Sequence, residues 1–210
     1  VSSPPYTVVT SKLVNGFKDQ YFHSDTGVLF FWSPVTGSKT ENAIYPRTEL
    51  RETYSNGTLR NWYYPDADNL LRATLTVNQG PSSGKIVIGQ IHAYNSQKPM
   101  VKLEYQYKTS SETGNLVIKV RMHPTDSESR VITLATGVKL NREFNYLIHL
   151  SPGGALGVSG AGYQWDTKIS ATWRDKPLYF KAGAYVQDNT GYTSEGGKVT
   201  FSKLDIDHNK

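Results

Sequence analysis

The chain has 210 residues, enough for one sizeable core, and its 14 tyrosines, 18 glycines and 10 prolines favour strands and turns over helices. It contains no cysteine, which excludes disulfides, thiolate metal sites and cysteine nucleophiles. A formal net charge of +5 favours an anionic partner, but the 23 Lys and Arg are scattered without a basic run of the nucleic-acid-binding kind, and no apolar stretch nears the roughly 20 residues of a membrane span.

A short helix is expected near Thr10 to Val14, and no other segment carries a long, capped apolar period of 3.6 residues. Strand patterns then recur in residues 27–34 (GVLFFWSP), 45–52 (YPRTELRE), 70–79, 85–94 (KIVIGQIHAY), 100–108, 115–123, 144–150, 177–187 (PLYFKAGAYVQ) and 198–208. Turn formers fill gaps between them: NQGPSSGK, SSETGN, SPGGALG and SEGGK. Closely spaced strands without intervening helices predict one all-β domain over residues 1–210, a jelly-roll sandwich of two antiparallel sheets with a substrate cleft on its concave face.

Three of these strands have unusual faces. In YPRTELRE, Arg47, Glu49 and Arg51 share one side while Thr48 and Leu50 take the other. At a rise of about 3.3 Å per residue the two guanidinium groups stand roughly 7 Å apart, and Glu49 can neutralise only one of them. In KIVIGQIH, alternation places Ile86, Ile88, Gln90 and His92 together, opposite Val87, Gly89 and Ile91, so one face turns from apolar to polar as if leaving the core for a cleft. In YFKAGAYVQ, Phe180, Ala182, Ala184 and Val186 form a core face, and Tyr179, Lys181, Gly183, Tyr185 and Gln187 the other, with mid-strand Gly183 marking a close approach. Each strand alone also fits a solvated sheet face. As neighbours in one sheet, the three would make a cationic groove with amide, imidazole and phenol groups, suited to a carboxylated substrate. The five histidines (23, 92, 123, 149 and 208) are dispersed, so neither a metal nor another cofactor is expected.

In order and approximate spacing, YPRTELRE, QIH and YFKAGAYVQ resemble the signature segments of the alginate lyases of polysaccharide lyase family seven, in their short single-domain bacterial form. The likeness extends from YFHSDTGVLFFWSPVTG to the carboxyl end. It implies a jelly roll and β-elimination on alginate, a polymer of mannuronate and guluronate. Position by position, it implies that Arg47 binds the uronate carboxylate, that Gln90 helps neutralise it, and that His92 and Tyr185 are the catalytic histidine and tyrosine. Glu49, Arg51, Lys181 and Gln187 fall where the family lines or supports its cleft, and Ile91 is the variant associated with acceptance of guluronate-containing blocks.

On this reading Tyr185 is the general acid, and Tyr185 or His92 is the base according to the configuration at C5. Glu49 would hold one guanidinium while the other, Arg47 by the resemblance, meets the substrate. The expected partner is an anionic polysaccharide cut endolytically by a monomer, with no nucleic-acid or membrane partner. No signal peptide is visible, although a polymeric substrate favours a secreted or periplasmic location. The family's usual amino-terminal strand, Asp-Leu-Ser-x-Trp followed by an alternating apolar run, is not found, which is expected to open a sheet edge. Alternatives are a non-catalytic carbohydrate-binding module on the same scaffold and a lyase for another polyuronate such as glucuronan. A glycoside hydrolase is disfavoured because Glu49 and Glu52 point to opposite faces of one strand.

Overall fold

The computed structural model describes residues 5–210, in which the alternating segments pair into two facing antiparallel sheets. One sheet contains, in spatial order, β1 (Phe22–Asp25), β2 (Val28–Pro34), β13 (Gly196–Asn209), β4 (Asp68–Gln79), β9 (Phe144–Leu150), β10 (Ala155–Gly160) and β11 (Tyr163–Lys168). The other contains β3 (Arg47–Arg51), β12 (Leu178–Val186), β5 (Lys85–Ala93), β6 (Val101–Lys108), β7 (Thr113–Val120) and β8 (Arg130–Lys139). This is the expected jelly-roll sandwich, and the short helix α1 (Thr10–Val14) is also where it was expected. Strands β1, β8, β10 and β11 lack a counterpart in the sequence reading, and the second half of the SPGGALG turn is the start of β10.

The core is built from the inward-facing alternate residues of both sheets. Phe31, Leu71, Leu75, Val77 and Phe201 come from one sheet and Ile86, Ile91, Leu103, Phe180 and Ala184 from the other, all essentially inaccessible to solvent. Burying each large apolar side chain contributes about 1.5–3 kcal/mol. Phe31 locks the centre with edge-on contacts to Phe22 and Phe201, at centroid distances of 5.2 and 5.3 Å.

A register slip corrects the expected faces of β5. Its pairing with β6 shifts between Val87 and Gly89, and that with β12 shifts between Ala182 and Tyr185. Ile86 therefore lies opposite Val186 and Tyr105, facing the core, while Val87 lies opposite Tyr185 and Glu104 on the cleft side. Gln90 and His92 keep their shared cleft face, but Ile86 is not on it. The bulge, rather than a strand leaving the core, makes that face polar.

Two glycines permit this packing. Gly183 has φ +151°, and a Cβ there would lie 2.6 Å from the Thr48 carbonyl oxygen. A Cβ at Gly89 would lie 2.7 Å from the Tyr146 hydroxyl, which donates to the Ile88 carbonyl at 2.8 Å. Strand β3 forms one edge of its sheet, and residues of the 5–13 segment line a cavity beside Thr48 and Leu50.

Candidate active site

Strand β12 lies between β3 and β5, so the three sequence segments singled out above are neighbours. Its register places Lys181 opposite Arg51, Gly183 opposite Glu49 and Tyr185 opposite Arg47. On its other side Tyr179 meets His92 and Lys181 meets Gln90. Directly opposed residues of an antiparallel pair project to the same face, so these side chains gather on the outer, cleft side of the sheet.

Glu49 is the hub. Its side chain is only 1% exposed, yet it ion-pairs through Oε1 with Arg47 Nη1 at 3.0 Å and Lys181 Nζ at 2.6 Å. Its Oε2 accepts from Gln90 Nε2 at 2.7 Å. Burial pushes the carboxyl pKa up, but Lys181 and Arg47 together outweigh it and hold the value at about 2. For Lys181 the balance is opposite: burial lowers the ammonium pKa despite Glu49.

The division of labour between the two arginines also differs from the expected one. Glu49 holds Arg47 itself, whereas Arg51 Nη1 donates to the carbonyls of Glu52 and Arg60 at 2.7 and 2.8 Å, and its Nη2 to Asn61 Oδ1 at 2.5 Å. Arg51 is thus hydrogen-bonded by neutral oxygens, with the Glu52 charge acting on it from beyond ion-pair distance. Both guanidinium groups stack on aromatic rings, Arg47 at 3.7 Å over Tyr185 and Arg51 at 3.6 Å over Tyr179. Tyr179 also stacks on His92 at a centroid distance of 5.4 Å.

His92 Nδ1 lies 2.9 Å from the Ala93 carbonyl oxygen. A carbonyl can only accept, so Nδ1 carries the proton and Nε2 keeps the lone pair. Burial lowers the imidazole pKa to about 4, with the charges of Lys181 and Arg47 adding to the effect against the Ala93 bond. Tyr185 moves the other way: burial raises its phenol above the ordinary value, and nearby Arg47 reverses this only in part. Gln187, just past the end of β12, turns its amide towards the Tyr185 and Val186 carbonyls at 3.5 and 3.4 Å. The cluster therefore gathers a neutral imidazole, a protonated phenol and cationic donors on one face of the sheet.

Sequence reasoning left Tyr179, Asn61 and Lys102 out of the candidate residues. Tyr179 and Lys102 alternate with core residues on the same strand faces as Tyr185 and Gln90, which was the available signal. Asn61 lies outside the named strands and carries no such signal. Among the described residues, no group of three or more His, Cys, Asp or Glu is gathered as a metal site.

Over residues 1–208 the chain matches the family described as alginate lyase. It is 42% identical to an alginate lyase of known crystal structure from Pseudomonas aeruginosa, with a TM-score of 0.94 over 99% of this chain and 95% of that one. Alginate lyase A1-II', a member of polysaccharide lyase family-7, is 31% identical with a TM-score of 0.82, over 96% of this chain and 89% of its own. An alginate lyase of Klebsiella pneumoniae is 25% identical over 251 residues, covering 93% of this chain and 81% of that protein.

Proposed function

This chain belongs to the alginate lyases of polysaccharide lyase family seven, and from that membership we propose that it cuts alginate endolytically by β-elimination through Arg47, Gln90, His92 and Tyr185. The C5 hydrogen of a 4-linked uronate is feebly acidic, because its removal adds negative charge beside a carboxylate. Arg47 and Gln90, both hydrogen-bonded to Glu49, supply the donors to that carboxylate. Losing one such donor costs about 3–4 kcal/mol of barrier, a rate loss of several hundredfold at about 1.4 kcal/mol per tenfold.

Nε2 of neutral His92 accepts the C5 proton, and the Tyr185 phenol protonates the departing O4. The C4–O4 bond breaks as a C4–C5 double bond forms, so no external reagent is consumed. The Ala93 carbonyl supports the assignment, because it holds the His92 proton on Nδ1 and leaves Nε2 able to accept, while the Tyr185 phenol, raised by burial, is able to donate. Lys181 and Arg51 hold the site positive for an anionic polymer, and Gln187 borders it. Ile91 faces the core, opposite Phe180 and Val101. If guluronate-containing blocks are preferred, Ile91 therefore acts through the placement of Gln90 and His92 rather than by contact.

Incubation with alginate, separate mannuronate and guluronate blocks, and glucuronan tests this reading by the ultraviolet absorbance of the unsaturated product, with product sizing for endolytic action. Alginate is expected to yield mixed-size unsaturated oligomers. Tyr185→Phe should lower kcat by about 10²–10⁴-fold with KM little altered, the range for general acid–base groups. A near-normal rate in that variant would overturn the acid assignment, and alginate binding without product would restore the carbohydrate-binding alternative.

A further inference from the structure

Among the further cations of the cleft face is Lys102 on β6. It lies opposite Gln90 of β5 on one side and Lys119 of β7 on the other. The register Arg51–Lys181–Gln90–Lys102–Lys119 thus crosses five adjacent strands in one row. Neighbouring strands stand about 4.8 Å apart, so a polyuronate laid across the strands would pass over this row with its carboxylates within reach of long cationic side chains.

The other cations of the row have acceptors. Lys181 has Glu49 at 2.6 Å, Arg51 has its carbonyls and Asn61, and Lys119 has Glu104 at 3.1 Å. Glu104 is fully buried and already engaged by Lys119 and by Gln106 Nε2 at 2.8 Å. Half-buried Lys102 has neither a hydrogen-bond acceptor nor a carboxylate within ion-pair distance among the described residues. Burial lowers its ammonium pKa; Glu104 opposes this, while Lys119, Arg121 and Arg47 add to it. A buried cation short of counter-charge is costly to keep, and an incoming carboxylate would supply what the fold withholds.

We propose that Lys102 anchors the carboxylate of the uronate adjacent to the reacting unit, on the Gln90 side of the cleft. This rests on the lyase reading above and extends it by one sugar. Lys102 is a positioning residue with no part in proton transfer, so it acts on binding rather than on chemistry.

Steady-state kinetics of Lys102→Met on polymeric alginate test it, since Met keeps the buried stem and removes only the charge. KM is expected to rise about tenfold, the size of a lost charged hydrogen bond, with kcat changed by less than about twofold and the melting temperature not lowered. Lys102→Arg should recover most of the affinity, and KM should depend less on salt in Lys102→Met than in the wild type. Lys102→Gln gives the same readings should the Met variant misfold. A KM within about twofold of the wild type in both uncharged variants, or a loss confined to kcat, would overturn the proposal while leaving the lyase reading intact. A wild-type protein that forms no unsaturated product would instead overturn the lyase reading, and this proposal with it.

Discussion

Glu49 shows how one buried carboxylate can set the state of a whole site. It binds two cations and an amide, so Arg47, Lys181 and Gln90 are held in place before substrate arrives. His92 lies in the same field: burial lowers its pKa most, the Ala93 carbonyl opposes this, and Lys181 and Arg47 lower it further, so the imidazole stays neutral well into the acid range. An NMR pH titration of the free protein should place the His92 midpoint near 4, as the pKa of about 4 requires. A midpoint at the ordinary histidine value of about 6.5 would mean that burial and the neighbouring cations do not set its charge. The residue types of this site were legible because strict alternation sorts a strand into two faces. Their pairing was not: that Glu49 takes Arg47 and Lys181 while Arg51 turns to carbonyls depends on the registers of β3, β12 and the 52–61 segment, which no local pattern encodes.

At the scale of the element, the strands the sequence revealed are mostly those with a continuous buried side, such as β4, β5, β6 and β12. Those it hid have weak contrast: β1 has four residues, β10 is half glycine and serine, and no residue of edge strand β11 is fully buried. The bulge in β5 was invisible for a related reason, since a single extra residue inverts the parity of everything before it without changing the composition.

The end of β3 is secured from the core side by Glu52, a side chain whose position opposite Glu49 was correctly anticipated. Its Oε2 accepts from Trp62 Nε1 at 2.7 Å and from the Phe180 backbone N–H at 2.8 Å, and Oε1 lies 2.6 Å from His208 Nε2 on β13. This joins the cleft sheet to the carboxyl-terminal strand of the other sheet. Glu52→Ala leaves those donors buried without an acceptor and should cost about 3–5 kcal/mol. At roughly 2–4 °C per kcal/mol for a chain of this size, calorimetry should show a fall in Tm of about 10 °C. A loss under about 1 kcal/mol, the range of surface ion pairs, would mean that the network is not a structural tie.

Across the whole molecule, site electrostatics and stability are linked through protons. His92 has a folded pKa of about 4 against an ordinary 6.5, so between those values the unfolded chain binds more protons than the folded one, and stability declines as pH falls through that window. Glu49, at about 2 against an ordinary 4.5, adds a second loss of the same sign in the window below it. The two windows meet, so denaturant unfolding should show stability falling without a plateau from about pH 6.5 towards pH 2. Each displacement is worth on the order of 3 kcal/mol at most, a large share of a typical net stability of about 5–15 kcal/mol. Growing self-repulsion in a chain that already carries +5 acts in the same direction, so the wild-type profile alone does not isolate these groups. His92→Gln does: it removes the first window but leaves general repulsion nearly unchanged, so its stability should fall less than that of the wild type between about pH 6.5 and 4 and run parallel to it below. Parallel curves throughout would show that folding does not exclude a proton from His92, and the same result would undercut its assignment as the resting base.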